Sequence, residues 1–189
     1  MEGYRHRIMD SLLEKKLQAK GAVLIEGPKW CGKTTTVEEI AASKILLART
    51  DVKNNFKSLL EIDVDAALSG ETPMLIDEWQ TVPKLWDAVR YTVDHRRKMG
   101  QFILTGSAVP DKTAEEEREH SGTGRFAWLT MRPMTLFESG DSNGKVSLGN
   151  LFTQPEKILE KNVLKLQDIA FLICRGGWPI SVLSPQEIS

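Results

Sequence analysis

Cysteine is scarce in this chain of 189 residues, which contains only Cys31 and Cys174. One pair of cysteines disfavours both a disulfide framework and a structural zinc site with several thiolate ligands. Long hydrophobic runs are lacking too, since stretches such as Ile169–Cys174 are far shorter than a membrane span. The N-terminal segment is charged throughout and has no apolar core typical of a secretory signal. We therefore expect a reduced, cytoplasmic protein with no membrane partner.

The chain also lacks an excess of charge of one sign. Its 25 lysine and arginine residues nearly balance 26 aspartate and glutamate residues, so the net charge is −1. A near-neutral protein has no overall attraction to nucleic acids or anionic membranes. Two local basic clusters are explained as charge at a helix C-terminus (Arg96–Lys98) and as a solvated N-terminal segment (Arg5–Arg7). Nucleic-acid binding is therefore the weaker interpretation.

Five short apolar segments predict β-strands, and helical patterns separate the first four of them. Most of these segments are apolar throughout rather than alternating, which is typical of a parallel sheet covered on both faces. The predicted strands are Ala22–Glu26, Ile45–Ala48, Met74–Asp77, Gln101–Thr105 and Phe126–Met131. The predicted helices are Lys33–Ala42, Asn54–Leu68 and Pro83–Arg97. Alternating strands and helices indicate an α/β fold.

The rest of the chain predicts less regular structure. Gly106–Gly124 is interpreted as a loop, in which the acidic run Glu115–Glu117 forms one short helix. Gly140–Gly149 combines glycine with small polar residues and is typical of a flexible linker. Beyond it, Pro155–Cys174 has a helical pattern that ends at the Gly-Gly-Trp-Pro sequence.

The sequence GPKWCGKT at Gly27–Thr34 predicts a phosphate-binding loop. It fits the pattern G-x-x-x-x-G-K-[ST] and lies between a predicted strand and a predicted helix, as this motif requires. The glycines let the backbone curl so that successive N–H groups face phosphate oxygens. Lys33 supplies a positive charge for the β- and γ-phosphates, and the Thr34 hydroxyl can bind Mg²⁺. The candidate ATP-binding residues are Gly27, Pro28, Lys29, Trp30, Cys31, Gly32, Lys33, Thr34 and Thr35.

Cys31, inside this loop, has two interpretations. It can be a small residue that fills a position free of constraint. Alternatively, the surrounding amides can lower the pKa of its thiol and make it reactive. We favour the first interpretation, because the sequence offers no redox partner.

Two adjacent carboxylates, Asp77 and Glu78, follow the predicted strand Met74–Asp77. An aspartate at a strand end beside a phosphate loop can hold Mg²⁺ through its water shell. The next glutamate can polarise the water that attacks the γ-phosphate. The alternatives are an acid that merely ends a strand and an exposed surface glutamate.

The predicted strand Gln101–Thr105 can lie between the other two strands of the site. Thr105 or Ser107 would then be near the γ-phosphate, where a hydroxyl could sense phosphate or orient water. The alternative is a turn residue that caps the strand. Both interpretations stay open.

Several segments together resemble the prokaryotic AAA-type ATPases of the AAA_14 family, which carry a DUF4143 C-terminal domain. These segments are GPKWCGKTT, LIDEWQ, DHRRKMGQFILTGSA, HSGTGR and RPMTLFE, and the resemblance extends from about Tyr4 to Pro179. It implies a P-loop NTPase fold of the AAA+/STAND-like type, with a parallel sheet of strand order 5-1-4-3-2 sandwiched by helices. It also implies Lys33 and Thr34 on phosphate and metal, Asp77 on Mg²⁺, Glu78 as the base and Thr105 as a sensor-type polar residue.

The resemblance also draws attention to arginines. Gly124-Arg125 matches the family's Gly-Arg before the fifth strand, so Arg125 could act as a finger on the γ-phosphate in its own subunit or a neighbour's. A surface arginine that begins a strand is at least as good an interpretation. Arg132, before Pro133, is a second and weaker candidate.

Family members continue into a large C-terminal domain, whereas this chain stops soon after Arg175–Pro179, the family's Gly-Gly-x-Pro turn. We therefore predict an AAA-type nucleotide-binding domain at 1–138, a linker at 139–153 and the helical start of an incomplete C-terminal domain at 154–189. The predicted function is Mg²⁺-dependent hydrolysis of ATP to ADP and phosphate that drives a conformational switch.

The alternatives are a nucleotide-binding remnant with little turnover and a DNA-associated regulatory module. A GTPase is disfavoured, because the sequence has no Asn-Lys-x-Asp tetrapeptide to read guanine. ATP and Mg²⁺ are the expected ligands, and a homo-oligomer or a protein partner stays open.

Overall fold

The structure is a computed structural model that describes residues 4–107, 122–161 and 163–184. The described residues divide into two compact units. The first contains residues 7–107 and 122–132, and the second contains residues 4–6, 133–161 and 163–184. The short helix predicted at Glu115–Glu117 lies outside the described residues, and the predicted domain boundaries at 138/139 and 153/154 stay predictions.

A parallel sheet forms the centre of the first unit. The described strands are β1 (Ala22–Gly27), β2 (Ser43–Leu46), β3 (Met74–Asp77), β4 (Phe102–Ser107) and β5 (Phe126–Thr130). Their order is β2-β3-β4-β1-β5, and every neighbouring pair is parallel. Read from the other edge, this is the predicted order 5-1-4-3-2, so the predicted fold class is confirmed. The carboxyl ends of β1, β3 and β4 therefore lie side by side.

Helices cover both faces of this sheet. They are α1 (Ile8–Ala19), α2 (Lys33–Glu38), α3 (Thr50–Ile62), α4 (Val64–Ala67) and α5 (Lys84–Arg96). In β1, Ala22 and Leu24 belong to a core cluster with buried residues of α3, α4 and α5. Val23 and Ile25 belong to a second cluster with buried residues of α1 and α2. Burial on both faces explains why the strands are apolar throughout, since each buried Val, Leu or Ile contributes about 1.5–3 kcal/mol.

Helix α1 was not among the predicted elements, although its sequence carries a signal. Met9, Leu13 and Leu17 are spaced four residues apart and are all buried, which places them on one helical face. The acidic and basic residues between them obscure this stripe in a sequence of low overall hydrophobicity.

Two predicted helices end or break where backbone and side-chain hydrogen bonds redirect the chain. The helix predicted at Lys33–Ala42 ends at Glu38, and the Ala42 N–H donates to the Pro73 carbonyl at 2.9 Å. This bond guides the chain into β2, which starts two residues before its predicted position. The helix predicted at Asn54–Leu68 is two helices, because Asp63 accepts the Ala66 N–H at 2.9 Å and caps α4.

The second unit contains the helices α6 (Leu148–Thr153), α7 (Leu166–Arg175) and α8 (Pro179–Leu183). The continuous helix predicted at Pro155–Cys174 is wrong, because among the described residues of this range only a 3₁₀ turn at Pro155–Lys157 precedes α7. The Asp168 carboxylate accepts the Lys165 N–H at 2.7 Å, and this cap begins α7 at Leu166. None of the described helices is long and apolar enough to cross a lipid bilayer.

An ion pair between Arg175 and Asp141 joins α7 to the segment before α6. Arg175 Nη2 lies 2.5 Å from Asp141 Oδ2, and the arginine side chain is only 6% exposed. The hydrogen bond from Arg175 lowers the pKa of Asp141 below its usual value of 3.8. Because the pKa is lowered on folding, the ion pair stabilises the folded state at pH values above the usual pKa of an aspartate. This contribution is lost as the pH falls through the folded-state pKa.

Replacing Asp141 should therefore destabilise the second unit. We expect Asp141→Asn to lower its free energy of unfolding at pH 7 by about 1–3 kcal/mol, because a charge-assisted hydrogen bond to a buried guanidinium is lost. Hydrogen exchange of the α7 amides in the full chain measures this change. Glu156→Gln, which removes an exposed carboxylate of the same unit, is the matched control. Equal exchange rates in the two variants would contradict the prediction.

Candidate functional site

The predicted phosphate loop joins β1 to α2. Its two glycines have positive φ angles, 153° at Gly27 and 102° at Gly32. A Cβ atom at Gly27 would lie 2.2 Å from the Met131 carbonyl oxygen, so only glycine fits there. The loop is thus packed directly against the backbone that leaves β5.

Lys33, the first residue of α2, folds back over this loop. Its Nζ donates to the carbonyl oxygens of Gly27 and Pro28, each at 2.9 Å, and the residue is 7% exposed. The charge is therefore held inside the curl of the loop by neutral acceptors. Phosphate oxygens are stronger acceptors for an ammonium group, so a bound phosphate would compete well for these hydrogen bonds.

Asp77 contacts two of the other predicted site residues. Its Oδ1 atom accepts hydrogen bonds from Thr34 Oγ1 at 3.1 Å and from Thr105 Oγ1 at 2.5 Å. Thr105 is fully buried and stands opposite Asp77 in the register of β3 and β4. The strand β4 lies between β1 and β3. The Asp77 carboxylate at the end of β3 therefore contacts a hydroxyl from the start of α2 and a hydroxyl from the neighbouring strand β4.

This oxygen set has the chemistry of a partial magnesium site. Mg²⁺ prefers oxygen ligands and usually takes one or two from protein side chains, with water and phosphate completing its shell. Thr34 and Asp77 fit that pattern. Within the described ranges, no group of three or more His, Cys, Asp or Glu residues could hold a metal ion. The Thr34 hydroxyl and the Asp77 carboxylate are two oxygen ligands of the kind that such a cation takes from protein side chains.

Glu78 follows Asp77 in a left-handed backbone conformation, with φ 55° and ψ 40°. Such a conformation is uncommon outside glycine and costs roughly 1–2 kcal/mol. It directs the chain from β3 into the 3₁₀ turn Trp79–Thr81. Two side chains of this turn hold Glu78: Gln80 Nε2 donates to its Oε2 at 2.5 Å, and Thr81 Oγ1 donates to its carbonyl at 2.9 Å.

Arg125 lies where the strands of the sheet begin, and the phosphate loop lies at the opposite end, where β1 finishes. It precedes Phe126, which pairs with Ala22 at the start of β1, whereas the loop follows the end of β1. The length of that strand separates the two, about 20 Å at 3.3 Å per residue. Arg125 instead forms an ion pair with Asp94, with Nε–Oδ distances of 2.7 and 2.8 Å. The structure therefore does not bring Arg125 to the phosphate loop of its own chain.

Arg132 is exposed and lies at the same edge as the phosphate loop. The preceding residue, Met131, donates its N–H to the Glu26 carbonyl at 2.7 Å, at the end of β1. Of the two arginines, the weaker sequence candidate is thus the one near the loop. The direction of the chain explains why Arg132 and not Arg125 is near the loop. Arg125 precedes β5 and Arg132 follows it, so the two arginines lie at opposite ends of that strand.

Arg7 contacts the phosphate loop, which the sequence analysis missed. Its guanidinium donates to the Cys31 carbonyl at 2.9 Å and to the Arg132 carbonyl at 2.8 Å, and the residue is 8% exposed. The interpretation of Arg5–Arg7 as a solvated segment is therefore wrong for Arg7. The signal available in the sequence was its place just before the apolar stripe of α1.

The remaining loop residues differ in exposure. Cys31 is fully buried, with its thiol 3.8 Å from the Met131 carbonyl oxygen, which suits a residue that fills space. Pro28, Lys29, Trp30 and Thr35 are exposed, and Trp30 has a positive φ of 62°. Ser107 stands opposite Gly27 in the register of β1 and β4, and its Oγ is buried without a hydrogen-bond partner among the described residues.

Comparisons with known proteins show the family to which this sequence is similar. The sequence matches the AAA_14 family, described as an AAA domain, over residues 19–139. Uncharacterized proteins of Mycobacterium tuberculosis and Mycobacterium bovis are each 29% identical over 131 residues. The match covers 69% of this chain and 29% of each relative, so the chain spans less than a third of the length of these curated relatives.

Two solved structures show weak similarity. One is AMPPCP-bound DnaA from Aquifex aeolicus, with a TM-score of 0.49, 12% identity, and coverage of 93% of this chain and 56% of that chain. The other is PCH-2 of C. elegans, with a TM-score of 0.39, 16% identity, and coverage of 84% and 48%.

Proposed function

The chain belongs to the AAA_14 family of AAA domains, and from that membership we propose that it binds ATP with Mg²⁺ and hydrolyses it to ADP and phosphate. One observation carries this proposal. Beside the glycine loop that holds Lys33, a single carboxylate oxygen of Asp77 accepts the hydroxyls of Thr34 and Thr105. A positive charge, hydroxyl groups and a carboxylate thus lie together at the carboxyl ends of the strands.

Binding would use groups that the loop already presents. The Lys33 ammonium would exchange the Gly27 and Pro28 carbonyls for the β- and γ-phosphate oxygens. The Thr34 hydroxyl and the Asp77 carboxylate would hold Mg²⁺, which neutralises charge on the phosphates when bound. The close packing of Gly27 against the Met131 carbonyl leaves no room for a side chain at this position of the loop.

Hydrolysis would use Glu78 as the general base. In this step Glu78 takes a proton from water while the water oxygen bonds to the γ-phosphorus. The bond between that phosphorus and the bridging oxygen breaks, and ADP leaves with the electron pair. Thr105 joins β4 to Asp77 through its hydroxyl, so loss of the γ-phosphate would reach β4 and could drive a conformational switch.

In this proposal, Arg125 contributes to hydrolysis only if several copies of the chain assemble. Arg125 is on the edge away from the loop of its own chain, so it could reach only the γ-phosphate of a neighbouring subunit. Its ion pair with Asp94 would have to open first.

The metal-dependent part of binding should depend on Asp77. We expect Asp77→Asn to weaken ATP binding by about 10–100-fold in the presence of Mg²⁺, because it removes the charge of a hydrogen-bonded carboxylate. In EDTA the variant should bind ATP at least as well as the wild type, since a negative charge near the phosphates is gone. Isothermal titration calorimetry with and without Mg²⁺ measures both affinities.

Asp65→Asn is the control for this experiment, because Asp65 is an exposed carboxylate on α4. It should leave both affinities unchanged. If Asp77→Asn weakened ATP binding equally with Mg²⁺ and with EDTA, Asp77 would not be acting on the metal.

A further inference from the structure

The side-chain amide of Gln80 contacts the carboxylate of Glu78 directly. Gln80 lies two residues after Glu78, in the 3₁₀ turn Trp79–Thr81, and its Nε2 donates to Glu78 Oε2 at 2.5 Å. An ionised carboxylate can only accept hydrogen bonds, so this contact determines which end of the amide faces Glu78. The NH₂ group points to the carboxylate and the carbonyl oxygen points away.

The other end of the amide is packed against Gly106. Gln80 Oε1 is buried and has no hydrogen-bond partner in the part of the chain that the structure describes. A Cβ atom at position 106 would lie 2.4 Å from this oxygen, so the glycine after Thr105 makes the space that the amide occupies. A buried acceptor without a donor is unfavourable, and a bound water is the usual donor in such places.

The turn itself is closed by its own hydrogen bonds. The Thr81 N–H and the Val82 N–H donate to the carbonyls of Glu78 and Trp79, each at 3.0 Å. Thr81 Oγ1 makes a further bond to the Glu78 carbonyl. The backbone of the turn therefore does not depend on the Gln80 amide, which leaves the amide free for the carboxylate.

We propose that Gln80 is a positioning residue that orients the Glu78 carboxylate for proton transfer. It engages Oε2 and so leaves Oε1 of Glu78 for the attacking water. The inference rests on the proposed role of Glu78 as the general base. It adds the side chain that holds this base, and it gives Gly106 a role in admitting that side chain.

The contact is tested first without any measurement of activity. In ¹H–¹⁵N spectra of the full chain, the NH₂ signals of Gln80 are assigned by their loss in Gln80→Met. We expect these signals to move at one fixed pH when Glu78 is replaced in Glu78→Ala, because the amide then loses its acceptor. The exposed Gln18 amide on α1 serves as the internal control and should not change with Glu78. Gln80 signals that stay unchanged in Glu78→Ala would overturn the inference.

The positioning role is tested by turnover of Gln80→Glu and Gln80→Met. Gln80→Glu places a second carboxylate against Glu78, so the hydrogen bond is replaced by repulsion between like charges. We expect kcat to fall about tenfold or more, because a misplaced base loses part of its effect. KM should stay within about twofold, since neither variant touches the loop. Gln18→Glu, the same change on an exposed helix, should behave as the wild type.

The outcomes separate this inference from the proposed function. If the wild type hydrolyses ATP and both Gln80 variants match Gln18→Glu, the positioning role is overturned and hydrolysis stands. If the wild type binds ATP without turnover, hydrolysis and the positioning role are both overturned, while a Gln80 amide signal that depends on Glu78 still establishes the contact. Lower kcat with unchanged KM would support both.

Discussion

Lys33→Ala is expected to lower the affinity of the protein for MgATP by about 100-fold or more, since each hydrogen bond from an ammonium to a phosphate oxygen contributes about 1.5–3 kcal/mol. The residue is 7% exposed and already lies within the loop, so no large rearrangement is needed to present its charge. Titration calorimetry with MgATP measures the loss directly.

The same substitution also removes a donor from the loop itself, and the controls address this. Without the ammonium, the Gly27 and Pro28 carbonyls lose their donor, so the thermal unfolding of each variant is measured beside its affinity. Lys33→Met keeps most of the side-chain length and removes only the charge. Lys15→Ala changes an exposed lysine on α1 and should bind as the wild type does. Wild-type affinity in a folded Lys33→Ala protein would refute the phosphate-binding role.

Glu78→Gln is expected to bind MgATP as the wild type does but to hydrolyse it about 10²–10⁴ times more slowly, the usual effect of removing a general base. The amide has nearly the shape of the carboxylate and can still accept a hydrogen bond from Gln80, so the turn should persist. What is lost is the ability to take a proton from water. Phosphate release under saturating ATP measures the rate, and calorimetry measures the affinity.

Glu14→Gln provides the matched control, because Glu14 is an exposed glutamate on α1. Equal turnover in the two glutamine variants would remove Glu78 from the chemistry. A wild type that binds MgATP without measurable turnover would instead favour the alternative of a nucleotide-binding protein that does not hydrolyse its ligand. The Lys33 and Glu78 variants thus test binding and hydrolysis separately.

The elements that the sequence determined are those with a local cause. The bounds of β3 are those predicted, because its buried apolar run ends at two charged residues. The phosphate loop lies between β1 and α2 as its motif requires. Both reflect short-range chemistry: glycines that permit positive φ angles, and residues that cannot be buried without partners. The strand order was predicted from the resemblance of several spaced motifs rather than from any one of them.

The element bounds that were missed depend on longer-range contacts. The Pro73 carbonyl holds Ala42, which sets the start of β2. Asp63 divides one predicted helix into two by capping the second. Periodicity alone does not indicate such partners, because a helical pattern continues through a cap whenever the neighbouring residues tolerate either conformation.

Within the candidate site, the sequence by itself determined which residues could bind phosphate and metal, and the tertiary structure decided which other side chains join them. All strands of the sheet run in one direction, so the residue before β5 and the residue after it lie at opposite edges, and this places Arg125 away from the loop and Arg132 near it. Burial of Arg7 depends on carbonyls at Cys31 and Arg132, which are 24 and 125 residues away in sequence. The Gln80 amide fits only because β4 brings Gly106 beside it. These contacts depend on the packing of distant segments, which no local pattern encodes.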